Sequence, residues 1–345
     1  MKANSYIVLQ EPVAFFGRDS ATLKTARLLA TVSRPEFIPA NSASLIIGVA
    51  WGINLPVADL VWELLIPVAL VYAVISLVAA VAAQINTMAD YELDLKDSNK
   101  KELVKAMKSV GQSKVKALII VELLLSLIFI VLLGQTQGKP ALLLMWAAAV
   151  FLAYAYSSKP LRLKSRSWLA VLTLIIVLSI LPVSFVYYTF TSELDLLFLI
   201  FLSGQALTVY GVIVPAEIRD YFIDKKMGTQ TMTVQLGLVK ASLLSILLLS
   251  VGGFLAGTGF LLKLAYGAHQ ILIVFLLVMA IVYGFVLRKY SRLYSLSKKH
   301  LTSKDSDSVA QEIEKLAAQN PRWITLVTQS IVLMSIVLLV SKFLS

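Results

Sequence analysis

The sequence predicts an all-α polytopic membrane protein with about nine transmembrane helices. Three observations predict it. Of 345 residues, 58% are hydrophobic and only 15% charged, with a mean hydropathy of +0.82, whereas soluble domains carry about 25% charged residues. Apolar runs of roughly spanning length, about 20 residues, recur along the chain, and they are continuous rather than alternating, which excludes a β-barrel. Finally, if the N-terminus lies inside, all but Lys139, Lys263 and Lys342 of the 31 Lys and Arg residues fall on the inner side, as the positive-inside rule requires.

The runs cover roughly 37–55, 62–88, 117–134, 140–156, 168–190, 195–217, 239–262, 265–287 and 323–342. The first begins after polar and mixed residues without a small-residue cleavage site, so a removable signal peptide is not expected. It opens with SRPEFIPANSASLIIG, which puts Arg34 at its entrance and Asn41 inside it beside Ser42 and Ser44. An intramembrane Asn either joins helices or lines a cavity, and both readings stand.

The second run ends on NTMADYELDLKD, an acidic stretch where a helix C-terminus already carries partial negative charge. Asn86, Asp90 and Asp94 recur every four residues, so on a helix they line one face, with Asp97 able to join them and Glu92 pointing elsewhere. The sixth run ends similarly, on PAEIRDYFIDKKMG. Glu217, Asp220 and Asp224 repeat the helical spacing, Pro215 precedes them and Gly228 is a plausible stop. Two acidic ladders four spans apart on one side suggest two half-bundles closing on one polar chamber.

Carboxylates facing one another in a partly dry cavity need cations. The chain has no cysteine and only His269 and His300, so histidine- or cysteine-ligated metals are not expected, and oxygen-only ligands favour a hard ion such as Mg²⁺. Magnesium commonly completes its shell with substrate phosphate, which makes a phosphorylated substrate the expectation.

After the fourth run, AYAYSSKPLRLKSR gathers Tyr154, Tyr156, Lys159, Arg162, Lys164 and Arg166 around Pro160. Alone, this also describes an ordinary positive-inside loop with interfacial tyrosines. Beside two ladders, cations that bind a diphosphate become the better account, and Arg219 can serve likewise. His269 and the Tyr187–Tyr188 pair read as interfacial. The last long loop, 288–322, contains SVAQEIEKLAAQNP, where Ser308 and Gln311 predict a capping-box start and Asn320–Pro321 a stop for a solvated surface helix. The net charge of +11 follows from topology and anionic headgroups, so a nucleic-acid partner is not expected.

These residues resemble the UbiA superfamily of intramembrane prenyltransferases. Asn86, Asp90 and Asp94 match its first motif, N-D-x-x-D-x-x-x-D, with Thr87 where the family usually has aspartate; Asp220 and Asp224 match D-x-x-x-D. GTQTMTVQLG, YSSKPLRLKSR and SRPEFIPA are also similar to family segments. The resemblance implies a UbiA-like bundle around a central cavity, with a segment 1–36 at the inner face and a single transmembrane domain over 37–345 with loops 89–116, 157–167, 218–238 and 288–322. It implies Mg²⁺-dependent prenyl transfer from an isoprenyl diphosphate to a membrane-soluble acceptor, with an aromatic or quinone precursor as the first expectation and a glycerol-phosphate lipid or terpene-synthase chemistry as alternatives.

On that reading Asp90, Asp94, Asp220 and Asp224 are catalytic and hold metal together with Asn86, Asp97 and Glu217. Lys159, Arg162, Lys164, Asn86, Arg219 and Tyr156 bind the diphosphate, and Arg34 and Asn41 line the substrate cavity. The site and N-terminus are expected on the cytoplasmic side. A transporter is the competing class; it predicts carboxylates nearer the bilayer midplane and discontinuous helices.

Overall fold

Helices account for nearly all of the computed structural model, which describes residues 21–53, 61–95, 100–265, 271–303 and 305–344. In chain order they are α1 (Ala21–Val32), α2 (Ile38–Gly52), α3 (Val61–Asp94), α4 (Lys101–Val110), α5 (Gln112–Thr136), α6 (Ala141–Ser157), α7 (Ser167–Ile175), α8 (Leu181–Phe190), α9 (Leu196–Met227), α10 (Met232–Ala265), α11 (Ile271–Thr302), α12 (Ser306–Ala317) and α13 (Asn320–Leu344). A π-helical turn, Ile176–Ile180, joins α7 and α8 into one span.

Among the described residues seven helices are long and apolar enough to cross a membrane, against the nine expected. The other two runs also fold as helices but shorter ones, α2 of 15 residues and α6 of 17. α2 begins one residue after the expected start, behind a 3-10 turn at Pro35–Phe37, and ends at Gly52, where Ile53 becomes extended (ψ 121°). Large apolar side chains such as Ile66, Leu144, Phe254 and Ile281 are more than two-thirds exposed, the inverse of a soluble surface and the pattern that lipid demands. The chain is an integral, multi-pass membrane protein.

Two long helices carry the acidic ladders. At 1.5 Å per residue the 34 residues of α3 span about 51 Å and the 32 of α9 about 48 Å. Both exceed a hydrocarbon core of about 30 Å, so their polar ends project beyond it. Gly228, at φ 72°, ends α9 by closing its N–H onto Lys225, the left-handed cap that glycine adopts freely.

The tightest packing lies between α9 and α10. A Cβ on Gly204 would come within 2.3 Å of the Ala256 nitrogen and 2.6 Å of the Gly252 oxygen, and one on Gly252 within 2.6 Å of Thr208 Oγ1. Small residues thus let the two backbones touch, and Ser245 donates across the seam to the Gly211 carbonyl at 2.7 Å. Asn320 joins three helices, donating to the Val212 carbonyl (2.8 Å) and accepting from Tyr290 (3.2 Å).

Three lysines tie off helix ends on the face opposite the ladders. Lys139 donates to the carbonyls of Tyr188 and Thr189 at the end of α8, Lys342 to those of Ala50 and Ile53 at the end of α2, and Lys263 pairs at 2.6 Å with Asp195, the N-cap of α9.

The region after α11 departs from expectation. Asp305, not Ser308, caps α12, accepting from the Ser308 N–H at 3.2 Å. Asn320–Pro321 begins α13 rather than ending α12, which stops at Ala317; proline suits a first turn because its missing N–H would have been unpaired there. Nor is α12 wholly solvated, because Val309, Ile313, Leu316 and Ala317 are buried in the main apolar cluster against α9 and α11. His269 lies outside the described residues.

Candidate active site

The last two turns of α3 put Asn86, Asp90 and Asp94 on one face, each already compensated by positive or polar neighbours. Asp90 accepts from Arg162 Nη2 at 3.1 Å and from Lys164 Nζ through its other oxygen. Lys164 also donates to Asn86 Oδ1 at 2.9 Å, and Ser157 Oγ donates to the same oxygen at 3.0 Å. Asp94 is buried and pairs at 2.6 Å with Lys100.

The connection from α6 to α7 explains how two cations reach one carboxylate. Arg162 adopts a left-handed backbone, φ 38° and ψ 58°, and starts a 3-10 turn over Leu163–Ser165. That conformation costs an L-residue about 1–2 kcal/mol. It coincides with Arg162 and Lys164, two residues apart, both facing Asp90, an outlier of the kind that clusters at functional sites. Burial pushes the Lys164 ammonium pKa down, against the pull of Asp90 and Asp94 and with the help of nearby Arg162.

On α9, Arg219 forks the adjacent Asp220 at 2.7 and 2.9 Å, with both side chains nearly half exposed. Glu217 accepts from Thr233 Oγ1 of α10 at 2.7 Å. Asp224 lies within the electrostatic reach of Asp220. The Tyr156 hydroxyl, near the end of α6, feels the charges of both Glu217 and Asp90. The buried Tyr210 ring on α9 interacts with Glu217 and Tyr156 in turn. Tyr156 therefore lies within electrostatic reach of one member of each ladder, and both ladders lie at the same end of the bundle.

Other candidates lie apart. Lys159 is exposed, and its carbonyl accepts from the Tyr154 hydroxyl at 3.3 Å. Arg34 pairs with Glu36 at 2.8 Å and lies over the Phe37 ring. Asn41 is half-buried on α2 beside Ser42, which shares a 3.2 Å hydrogen bond with Tyr72. Thr87 is buried and bonds back to the Ala83 carbonyl, so it is spent within its own helix. Glu92 is exposed, as its register predicts, and Asp97 lies outside the described residues.

Sequence reasoning missed Lys100, Ser157, Thr233 and Tyr210. Thr233 had a signal, since it belongs to the GTQTMTVQLG segment; Lys100 had none, because its approach to Asp94 depends on how the chain turns between α3 and α4.

The donor chemistry fits a hard divalent cation, being carboxylate and amide oxygen throughout. Among the described residues no three acidic side chains converge closely enough to hold a metal ion by themselves. Magnesium does not need three, since it binds one or two carboxylates and fills the remaining positions with water and phosphate. Asp90 with Asp94 and Asp220 with Asp224 supply that number of carboxylates, and Lys100, Lys164, Arg162 and Arg219 each contact one of these aspartates.

Residues 45–304 match the model of the UbiA prenyltransferase family. Among solved structures, the chain is similar to one from work on a digeranylgeranylglyceryl phosphate synthase, at 14% identity over 91% of this chain and 99% of that chain, with a TM-score of 0.61. It is also similar to a UbiA homologue from Archaeoglobus fulgidus bound to GPP and Mg²⁺ (16% identity, 87% and 99% coverage, TM-score 0.59). A third is the apo form of a UbiA homologue from Aeropyrum pernix K1 (17%, 83% and 97%, 0.57). At these identities the likeness establishes the fold. A search of curated proteins found no match.

Proposed function

Because the chain belongs to the UbiA prenyltransferase family, we propose that it transfers a prenyl group from an isoprenyl diphosphate to a membrane-soluble acceptor of the aromatic or quinone-precursor class, with Mg²⁺ as cofactor. The observation that carries this reading is the cluster at the end of α3, where Arg162 and Lys164 converge on Asp90 beside Asn86, with Tyr156 linking that cluster electrostatically to Glu217 on α9. The Archaeoglobus fulgidus homologue bound to GPP and Mg²⁺ supports the choice of diphosphate and metal.

Asp90, Asp94, Asp220 and Asp224 would hold Mg²⁺, with Asn86 and Glu217 as further oxygen donors. The ion, when bound, neutralises negative charge on the leaving diphosphate. The chain's own residues do the rest. Arg162 and Lys164 offer donors that turn from Asp90 to diphosphate oxygens, and Arg162 can do so with a fork. Negative charge grows on those oxygens as the allylic C–O bond breaks, so preorganised cations stabilise the transition state more than the bound substrate. The Tyr156 and Tyr210 rings wall the chamber against water, and the prenyl tail lies among apolar side chains open to lipid. The acceptor then attacks the allylic carbon, forming the new bond and releasing a proton. Both site and N-terminus face the cytoplasm on this reading, following the basic residues.

The test is release of diphosphate from geranylgeranyl diphosphate by the purified protein. It should require Mg²⁺ and vanish in Asp90→Ala and Asp220→Ala, while both variants keep their helical content. Release at near wild-type rates by either variant overturns the assignment, and a transporter would release none. Mass spectrometry of products over aromatic and glycerol-phosphate acceptors then assigns the acceptor class.

A further inference from the structure

Away from the chamber, α11 presents an outer face whose chemistry changes along its length. Val278, Ile281 and Phe285 are exposed, Ile281 at 71%. Arg288, Lys289 and Arg292 continue the same stripe, since residues three, four and seven apart share one side of a helix. Tyr283 and Tyr290, on the opposite side, are buried in the bundle. The apolar part of this stripe faces lipid, and the three cations follow where the helix leaves the hydrocarbon.

Phe285, Arg288, Lys289 and Arg292 line a groove of about 280 Å³. Lys289 Nζ lies over the Phe285 ring at 5.2 Å from its centroid. Arg292 donates to Glu312 of α12 at 3.0 Å. Arg288 is exposed and makes no ion pair among the described residues. The groove therefore carries three cations against a single carboxylate and opens directly onto a lipid-facing apolar strip.

We propose that this groove binds the phosphodiester headgroup of an anionic bilayer phospholipid, with Arg288 and Lys289 as its principal contacts and the acyl chains running along Val278, Ile281 and Phe285. Charge complementarity selects an anion, and continuity with the apolar strip selects an anion carrying tails over free phosphate. Basic groups at a membrane surface each favour anionic lipid by about fivefold. Glu312 sets the strength of the site by holding Arg292 back. The proposal concerns a surface outside the catalytic chamber and does not depend on which acceptor the enzyme uses.

Native mass spectrometry of the full-length protein in detergent, equilibrated with phosphatidylglycerol and phosphatidylcholine at equal concentration, tests it. Wild type should retain phosphatidylglycerol at least tenfold over phosphatidylcholine, and Arg288→Gln/Lys289→Gln should lower that preference by about 10- to 30-fold. Glu312→Gln should raise it a few-fold by releasing Arg292. Both altered residues of the double variant lie outside the core, so its thermal unfolding in phosphatidylcholine alone should match wild type, which separates lost binding from lost folding. Equal retention of the two lipids, an unchanged preference in the double variant, or displacement of phosphatidylglycerol by millimolar inorganic phosphate would each overturn the proposal.

Discussion

Replacing Asp90 by Asn keeps the shape of the side chain and removes its charge, leaving Arg162 and Lys164 without the carboxylate that contacts both. The three side chains are only 26%, 15% and 14% exposed for Arg162, Lys164 and Asp90 respectively. At 3.1 Å and an effective dielectric constant of 20, the Arg162–Asp90 attraction is about 5 kcal/mol before desolvation. Removing one partner of a fully buried pair costs about 3–5 kcal/mol. Partial exposure here reduces that, and we expect Asp90→Asn to cost about 2–3 kcal/mol. Lys164→Met in the same background removes the surplus cation and should recover about 1–2 kcal/mol of it. The assay is thermal unfolding of the four proteins of the cycle in one detergent, at one scan rate because membrane proteins unfold irreversibly. Effects that add to within about 0.5 kcal/mol, the behaviour of independent sites, would refute the claim that Asp90 and Lys164 act as a unit.

Two further outcomes follow from packing and from charge. Gly204→Ala would ordinarily favour a helix by about 1 kcal/mol, but the added methyl meets backbone atoms of α10 at 2.3 and 2.6 Å, so it should lower stability by about 1–3 kcal/mol; a rise in the unfolding midpoint would contradict the close seam. Burial alone would raise the Asp195 pKa, yet the hydrogen bond from Lys263, backbone N–H bonds and the Lys263 charge hold it below its ordinary 3.8. Its contribution to stability is thus present above 3.8 and lost as pH falls through the lower folded value. Asp195→Asn keeps an N-cap oxygen but loses the ion pair with Lys263, so it should cost about 1 kcal/mol at pH 7 and progressively less in acid, measured as unfolding midpoints across a pH series; a constant penalty would remove the electrostatic account.

Much of the architecture was readable because lipid imposes a long, unambiguous apolar signal, and the described residues of every run identified in the sequence are almost all helical. Lengths were less readable. The extended Ile53 ends α2 early and a π turn at Ile176–Ile180 interrupts the regular α-helix of its span, neither of which leaves a mark in hydropathy. The ladders were legible because four-residue spacing survives folding unchanged, so Asn86, Asp90 and Asp94 share a face wherever α3 goes. Pairings across the chamber were legible only as types: cations were expected, and Arg162 and Lys164 supply them, while Lys159 from the same segment is exposed. The capping of α12 was misread because Ser308 with Gln311 fits a capping box while Asp305 is an equally good N-cap residue type, and only the backbone shows which side chain accepts.

The lysines at the ends of α2, α8 and α9 have a consequence for how the chain is inserted. Each ammonium on that face is already committed to a carbonyl or a carboxylate, so almost no unshielded positive charge is left there to compete with the basic loops for orientation. A new lysine introduced into one of those connections would add charge outside these pairings, and would act as a topological signal in its own right. The protein's freedom to drift in sequence is therefore asymmetric: generous towards added bases beside the ladders, and narrow on the far side.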